Sequence, residues 1–212
     1  MLTTPTLKGI EVTLRALRAS DAEGLARAGA EARTTYGYTP VPDGPEASAD
    51  AVAAALKQQA DGARMPFVIL WRDRIVGTTS YCELAPWEWP PGHPLQRRDR
   101  PDTVEIGYTW LAASAQRTRV NTEAKYLLLA HAFDSWDVHA VYLKTDMRNQ
   151  RSRSAIERLG AKFEGIRRAH RPGADGTVRS SAYFSILREE WPHVRQVLEL
   201  RLADVRGTPT SA

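Results

Sequence analysis

Apolar and polar side chains alternate in the middle of the chain, in the segment TVEIGYTWL at positions 103–111. Apolar residues occupy every second position from Val104 to Trp110, which is the period of two typical of a β-strand. Further along, the apolar spacing becomes helical, from Asn121 or Thr122 through Phe133. The pattern therefore predicts a strand, a short turn over residues 116–121 and a long helix.

The rest of the chain shows more segments of both kinds. The predicted strands are residues 10–17, 65–71, 75–84, 103–111, 139–146, 162–166 and 178–187. The other predicted helices are residues 20–32, 48–62, 149–160 and 188–206. Ser20 with Glu23 has the spacing of a capping box, and Ser48 and Asn149 are predicted caps. This order predicts one mixed α/β (α+β) domain over residues 1–206, followed by a frayed tail at 207–212.

A long loop interrupts this pattern at residues 85–102, APWEWPPGHPLQRRDRPD. Its five prolines prevent regular structure, and a loop of this length inside a domain is usually functional or disordered. Trp87 and Trp89 could supply a flat apolar surface for a bound acceptor. Alternatively, the loop packs its tryptophans on its own domain or on a second subunit.

Composition narrows the classes of protein that fit. At 212 residues with 42% hydrophobic residues, the chain can build one well-packed core. It contains no apolar run long enough to span a membrane, and its first residues lack the features of a secretory signal. The single cysteine, Cys82, cannot form an internal disulfide and suits a reducing cytoplasm. We therefore expect a cytoplasmic protein.

The formal charge of +4 suits either a nucleic acid or a polyanionic cofactor. The arginines gather at residues 117–119, 148–153 and 167–171, which favours local anion sites. In the turn at 116–121, the unpaired N–H groups of a helix start are a ready phosphate site. Arg117 and Arg119 add positive charge to that turn.

Three segments resemble the GNAT superfamily of acyl-CoA-dependent N-acetyltransferases, and within it the RimJ/RimL-type branch. They are EIGYTWL followed by QRTRVNTEAK, then KTDMRNQRSRSAIERLGAKFEG, and finally DGTVRSSAYFSILREEW. Their order and spacing match that family. The resemblance implies a GNAT fold with a mixed, mostly antiparallel seven-stranded sheet flanked by helices. Two neighbouring strands are expected to splay apart at the acyl-CoA site.

The resemblance also implies a set of cofactor contacts. The implied cofactor-binding residues are Trp110, Leu111, Gln116, Arg117, Thr118, Arg119, Val120, Asn121, Thr122 and Asn149, and Ser152 is added because it lies one turn after Asn149. The family pattern of the phosphate loop, Q/R-x-x-G-x-G/A, is only partly kept, because Arg119 and Asn121 or Thr122 stand where glycines are usual. Glycine allows a closer backbone approach than these residues do.

Glu105 is the first candidate for general base, because burial in an apolar strand would raise its pKa towards a useful range. The alternative is an outward-facing glutamate paired with an arginine. Glu83, on the neighbouring strand, is the reserve base and a predicted acceptor contact. Tyr36 and Tyr38, between the first two helices, are further acceptor-contact candidates, or they simply hold their loop on the surface.

The general acid is less clearly marked. Many family members use a tyrosine where this chain has Ile156. Ser152, one turn after Asn149, could protonate the CoA sulfur instead. Asn149 and Ser152 could equally serve only as helix-capping residues, and a thiolate could also leave without a protein acid. No pair of residues has metal-ligand spacing, so we expect no metal.

These observations favour an acetyl-CoA-dependent N-acetyltransferase that acts directly on a primary amine. The acceptor could be a protein N-terminus or a small amine such as an antibiotic. A catalytically inactive acyl-CoA-binding sensor or scaffold is the alternative, because the phosphate loop lacks its glycines. A nucleic-acid-binding module is disfavoured, since the chain has no recognised nucleic-acid motif. The exposed tryptophans and the long last helix are compatible with a homodimer.

Overall fold

Eight strands form one sheet in the computed structural model, which describes residues 2–84, 86–96 and 99–203. The strands are β1 (Leu7–Lys8), β2 (Val12–Ala16), β3 (Arg64–Trp71), β4 (Arg74–Cys82), β5 (Thr103–Leu111), β6 (Ala140–Asp146), β7 (Lys162–Pro172) and β8 (Val178–Leu187). The helices are α1 (Ala22–Ala30), α2 (Gly44–Ala60), α3 (Val120–Ala130), α4 (Gln150–Arg158) and α5 (Trp191–Ala203). The predicted tail at 207–212 and the end of the last helix lie outside the described residues.

The strand order is β1-β2-β3-β4-β5-β6-β8-β7. Every neighbouring pair is antiparallel except β5 and β6, which are parallel. The mixed, mostly antiparallel α/β architecture is therefore confirmed, but the strand number of seven is wrong. The additional strand, β1, has only two residues, which is too short to give a periodic signal in the sequence.

The hairpin predicted between β3 and β4 has a two-residue turn, Arg72-Asp73. Both residues have positive φ angles, 50° and 63°. Positive φ at both central positions is the type I′ geometry, whose twist matches that of the flanking strands. The turn thus fixes the register of β4 against β3, and β4 in turn pairs with β5.

Two predicted helix caps are wrong. The carboxylate of Asp21, not Ser20 with Glu23, accepts the backbone N–H of Arg18 at 2.8 Å, and it also binds Arg15. A short 3₁₀ turn over residues 19–21 precedes α1 because of this contact. Ser48 lies inside α2, which begins four residues earlier with a proline in its first turn, a position where the missing N–H costs nothing.

The core is formed by the sheet together with residues of all five helices, and α3 covers the part of it that supports the candidate site. Tyr81 of β4 is fully buried, and its hydroxyl donates to the Leu128 carbonyl of α3. Leu128 and Leu129 are fully buried beside it, and α3 also packs against α5, whose Leu198 is fully buried. On β4, Tyr81 alternates with residues that face the opposite side, as the period of two requires. This packing fixes α3 relative to β4 and β5, the elements that carry the candidate site.

Candidate active site

A gap opens between two adjacent strands in the middle of the sheet. β5 and β6 pair over only three residues, from Thr103↔Ala140 to Glu105↔Tyr142. Beyond these pairs β5 continues to Leu111 and β6 to Asp146 without pairing with each other. Each strand pairs on its other side, with β4 or β8. The facing edges therefore present backbone N–H and C=O groups that an extended ligand could pair with.

A bulge in β5 shapes one side of this gap. The register with β4 shifts between Ser80↔Gly107 and Thr78↔Trp110, and Tyr108 has φ 52°. Thr78 Oγ1 donates to the Tyr108 carbonyl at 3.1 Å, which holds the extra residue in place. Bulges commonly redirect a strand beside an active site. Here the bulge lies in the part of β5 that is unpaired on the β6 side.

Glu105 occupies the last paired position before the gap. It is only 5% exposed, and it forms an ion pair with Lys144 of β6. Glu83 lies 3.4 Å from the same ammonium group. Burial raises the pKa of Glu105, although the hydrogen bond from Lys144 opposes the rise. The outward-facing alternative is excluded, because the side chain is buried and its partner is a lysine, not an arginine.

Glu105 also lines a cavity of about 300 Å³. The other lining residues are Glu83, Tyr142, Leu143, Lys144, Glu164 and Tyr183. Three carboxylates against one ammonium give this cavity an excess of negative charge, which suits a cationic ligand such as a protonated amine. A second cavity of about 330 Å³, between α4 and α5, shares none of these lining residues.

Lys125 of α3 is a buried cation that the sequence analysis missed. It is 6% exposed, and its Nζ donates to Thr109 Oγ1, in the β5 bulge, at 2.7 Å. Thr109 Oγ1 also lies 2.8 Å from Thr79 Oγ1. Burial lowers the pKa of Lys125 to about 7, so a large share of the amine is neutral near pH 7. This polar chain ties α3 to the bulge.

The turn before α3 presents unpaired backbone N–H groups, as predicted for the start of a helix. Arg117 has φ 59°, and α3 begins at Val120. Within the described chain, the backbone N–H groups of residues 117–119 donate to no protein acceptor. Free N–H groups at the positive end of a helix favour phosphate binding. Asn121 and Thr122 lie in the first turn of α3, half-buried.

Two side chains of this turn are already engaged. Arg119 donates to the Leu202 carbonyl of α5 at 2.8 Å, so its guanidinium is held by that contact rather than directed at an open phosphate site. Gln116 donates to Thr35 and to the Leu111 carbonyl, and it accepts a hydrogen bond from Arg151 of α4 at 2.8 Å. Thr118 Oγ1 accepts the Val120 N–H. Arg117 is therefore the basic side chain of the turn that is left to contact a ligand.

Asn149 and Ser152 meet at the start of α4. Asn149 Oδ1 accepts the Ser152 N–H at 3.1 Å, which is a helix-capping contact. The Ser152 hydroxyl is half-buried and forms no hydrogen bond within the described residues. Ile156 is buried in the core, and its hydrocarbon side chain has no proton to donate to the leaving group.

Tyr36 and Tyr38 differ in their surroundings. Tyr36 is buried, its hydroxyl donates to the Ala28 carbonyl at 3.2 Å, and its ring contacts Trp110 edge-on at 6.3 Å. This geometry supports the structural interpretation for Tyr36. Tyr38 is half-buried, with the Arg148 guanidinium 4.4 Å from its ring centroid. Tyr38 therefore lies near the carboxyl end of β6, at the mouth of the gap.

The two tryptophans of the long loop pack on this chain's own histidines. Trp87 stacks on His139 at 5.4 Å, and its backbone N–H donates to Asp102. Trp89 stacks on His93 at 4.3 Å. Trp87 remains 48% exposed. His139 directly precedes β6, so the tryptophans lie on the paired side of Glu105, away from the gap.

Other reactive side chains have structural surroundings. Burial, together with the nearby Glu105, raises the pKa of Cys82 to about 12, so its thiol stays protonated. Burial lowers the pKa of His131, which packs on Trp136. In the part of the chain that the structure describes, no group of three or more His, Cys, Asp or Glu could hold a metal ion. None of the described helices is long and apolar enough to cross a membrane.

A family model and a curated protein both match this chain in sequence. The family model described as an acetyltransferase (GNAT) domain matches residues 11–162. The Bacillus subtilis (strain 168) protein YdaF, whose name gives ribosomal N-acetyltransferase as a provisional assignment, is 31% identical over 90 residues. That match spans 42% of this chain and 47% of YdaF. The chain therefore matches about half the length of this curated relative.

Solved structures match over nearly the whole chain. A protein from T. thermophilus, provisionally described as an acetyltransferase, is 32% identical with a TM-score of 0.77, over 95% of this chain and 100% of that one. Mycobacterium smegmatis RimJ in complex with CoA-disulfide has a TM-score of 0.73 at 21% identity, over 95% and 94% of the two chains. At that identity the likeness to RimJ shows a shared fold.

Proposed function

The chain belongs to the GNAT acetyltransferase family, and from this premise we propose that it transfers an acetyl group from acetyl-CoA directly to a primary amine. The observation that carries the proposal is the position of Glu105. A buried carboxylate stands at the last paired residue of β5, where the gap to β6 begins and the negatively charged cavity opens. This arrangement provides a base, an amine-binding cavity and an unpaired strand edge in one place.

The proposed cofactor site runs from the start of α3 along the gap. The free N–H groups of residues 117–119 and the side chain of Arg117 would bind the pyrophosphate. The unpaired edge of β5 would pair with the amide groups of the pantetheine, as an added strand does. RimJ, which shares the fold, was solved with a CoA disulfide. Asn149 and Ser152, at the start of α4, border the other side of the gap.

Acetyl transfer to an amine requires removal of a proton from the nitrogen. In the proposed mechanism the ammonium group of the acceptor enters the cavity and competes with Lys144 for Glu105. Glu105 accepts the proton, either directly or through water, and its raised pKa makes it a better base. The amine nitrogen then bonds to the thioester carbonyl carbon, and the carbon–sulfur bond breaks. The departing thiolate takes up a proton from Ser152 or from water, and the second proton of the amine nitrogen replaces it, so that the products are a neutral amide and a free thiol.

Thiol release from acetyl-CoA tests this function. The wild-type enzyme should release CoA with at least one member of a panel of peptides with free N-termini and small primary amines. Glu105→Gln should lower kcat/KM by about 10²- to 10⁴-fold, which is the range for a general base. Wild-type kcat/KM should rise with pH through the raised pKa of Glu105, and the variant should lack this rise.

Glu157→Gln is the matched control, because Glu157 is an exposed glutamate on α4. It should keep wild-type activity. Binding of acetyl-CoA without thiol release from any acceptor would favour the sensor alternative instead. Equal activity of Glu105→Gln and the wild type would rule out Glu105 as the base. The cytoplasmic location and the homodimer remain predictions from the sequence.

A further inference from the structure

Two arginines face each other on the hairpin beside the Glu105 cavity. Arg171 of β7 and Arg179 of β8 are direct cross-strand partners. Like charges directly opposite each other destabilise an antiparallel pair. The pair therefore costs the fold stability unless a negative group binds near it.

Arg179 lies on the face of β8 that borders the cavity. Its Nε donates to Ser181 Oγ at 2.8 Å, and Ser181 is fully buried. Tyr183, two residues further along, pairs with Lys144 and lines the cavity. Side chains at alternate positions of a strand share one face. A half-buried guanidinium is thus held beside the site in which we place the acceptor.

Within the described chain, no carboxylate forms an ion pair with either arginine of this pair. Asp146, the nearest acid in the register of β6 with β8, is bound by Arg148 at 2.8 Å, and Arg148 also binds Asp175 at 2.8 Å. Within the residues that the structure describes, neither Arg171 nor Arg179 has a carboxylate at ion-pair distance. Burial and the nearby Arg171 lower the pKa of Arg179, and the charges of Asp146 and Glu105 only partly oppose this fall. Both effects express the cost of an unpaired charge.

Further cations lie near this pair of arginines. His170 contacts Ser181 Oγ at 2.9 Å and the Tyr183 hydroxyl at 3.3 Å. Burial lowers the pKa of His170, and nearby cations, Arg167 foremost, lower it further. A neutral histidine and unpaired guanidinium groups form a surface that attracts anions.

We propose that Arg179, assisted by Arg171, binds a carboxylate group of the acceptor, so that the enzyme selects amines that carry a negative charge near the reacting nitrogen. This inference rests on the proposed acetyl transfer. The planar guanidinium fork matches the geometry of a carboxylate. Arg179 lies four residues before Tyr183 of the cavity wall, about 13 Å along β8, and its Nε reaches back to Ser181, about 7 Å from Tyr183.

Two kinds of acceptor carry a carboxylate at that distance. One is a polypeptide with an acidic side chain among its first residues, since about three extended residues span roughly 10 Å. The other is a small amine whose own carboxylate lies at the far end of its chain. The test therefore uses two matched pairs: peptides that differ only by Glu or Gln at the second or third position, and a long ω-amino acid with its terminal amide.

The measurement is kcat/KM for each pair with wild type, Arg179→Gln and Arg171→Gln. The wild type should prefer the acidic member of at least one pair by about 10- to 100-fold, the factor expected for a charge-assisted hydrogen bond. Arg179→Gln should reduce that preference to near one, mainly through slower turnover of the acidic member. Lys8→Gln, on the opposite edge of the sheet, removes an exposed charge and should keep the preference.

Calorimetric binding of the acetylated products requires no turnover, so it tests independently whether Arg179 causes the preference for a carboxylate. The acidic product should bind the wild type more tightly than the neutral one, and Arg179→Gln should bind both equally. An unchanged preference in Arg179→Gln, or no preference in the wild type, would overturn the inference while leaving acetyl transfer intact. Failure of every acceptor, neutral ones included, together with equal product binding, would overturn both.

Discussion

Replacement of Lys125 by methionine should change how stability depends on pH. Burial lowers the pKa of Lys125 from its ordinary value of 10.5 to about 7. The unfolded chain regains the ordinary value, so between these two pH values it binds one more proton than the folded chain does. The free energy of unfolding of the wild type therefore rises with pH over this interval, by about 1.4 kcal/mol per unit at most.

The size of the effect follows from these two pKa values. Between pH 7 and pH 9 the contribution of Lys125 should rise by about 2 kcal/mol, slightly less than the full slope because the folded lysine is half protonated at pH 7. Lys125→Met keeps the length of the side chain and removes the titration. It also removes the hydrogen bond to Thr109, but that loss changes little with pH.

Urea unfolding at pH 6, 7, 8 and 9 measures the difference directly. The stability of Lys125→Met relative to the wild type should fall by about 2 kcal/mol from pH 7 to pH 9, or roughly 4–8 °C in Tm for a chain of this size. Other titrating groups occur in both proteins and cancel. Lys8→Met, at an exposed lysine, should run parallel to the wild type. Parallel curves for Lys125→Met would refute the claim that the buried lysine titrates near neutral pH.

Three further changes should have distinct effects. Gly77→Ala should destabilise the fold by more than about 2 kcal/mol in urea unfolding, because its Cβ would lie 2.0 Å from the Trp110 carbonyl oxygen. Asn149→Ala should cost about 1 kcal/mol by the same measurement, through loss of the α4 cap. The hydrogen bond from Arg148 lowers the pKa of Asp146, so Asp146→Asn should be less stable than the wild type near pH 7. The difference in stability between Asp146→Asn and the wild type should shrink when unfolding is measured at lower pH. It should disappear as the pH falls from 3.8, the ordinary pKa of an aspartate, through the lowered pKa of Asp146.

The strand that carries Glu105 could be predicted because its apolar side chains alternate without interruption. The positions of Glu105 and of the gap followed from that strand and from the family resemblance. The burial of Glu105 did not follow from alternation. It depends on Lys144, which lies 39 residues away in sequence and becomes a neighbour only when β5 pairs with β6.

Predictions from sequence spacing failed where another side-chain contact or the strand register determined the structure. Ser20 and Glu23 have the spacing of a capping box, but Arg15 fixes Asp21 and thereby the start of α1. The sequence offered one signal for Lys125, a lysine one turn before the buried Leu128 and Leu129 on an otherwise apolar helix face. The like-charged pair on the β7–β8 hairpin depends on the strand register, which two bulges shift.

Binding of acetyl-CoA tests the central claim most directly, because the β5–β6 gap, the α3 turn and Glu105 all depend on it. In a thermal-shift titration, a ligand at about one hundred times its Kd should stabilise the fold by about 2.7 kcal/mol, or roughly 5–10 °C in Tm. We predict such a shift with acetyl-CoA and with free CoA, and thiol release when an accepted amine is added to the acetyl-CoA complex. No shift at millimolar acetyl-CoA would contradict the account.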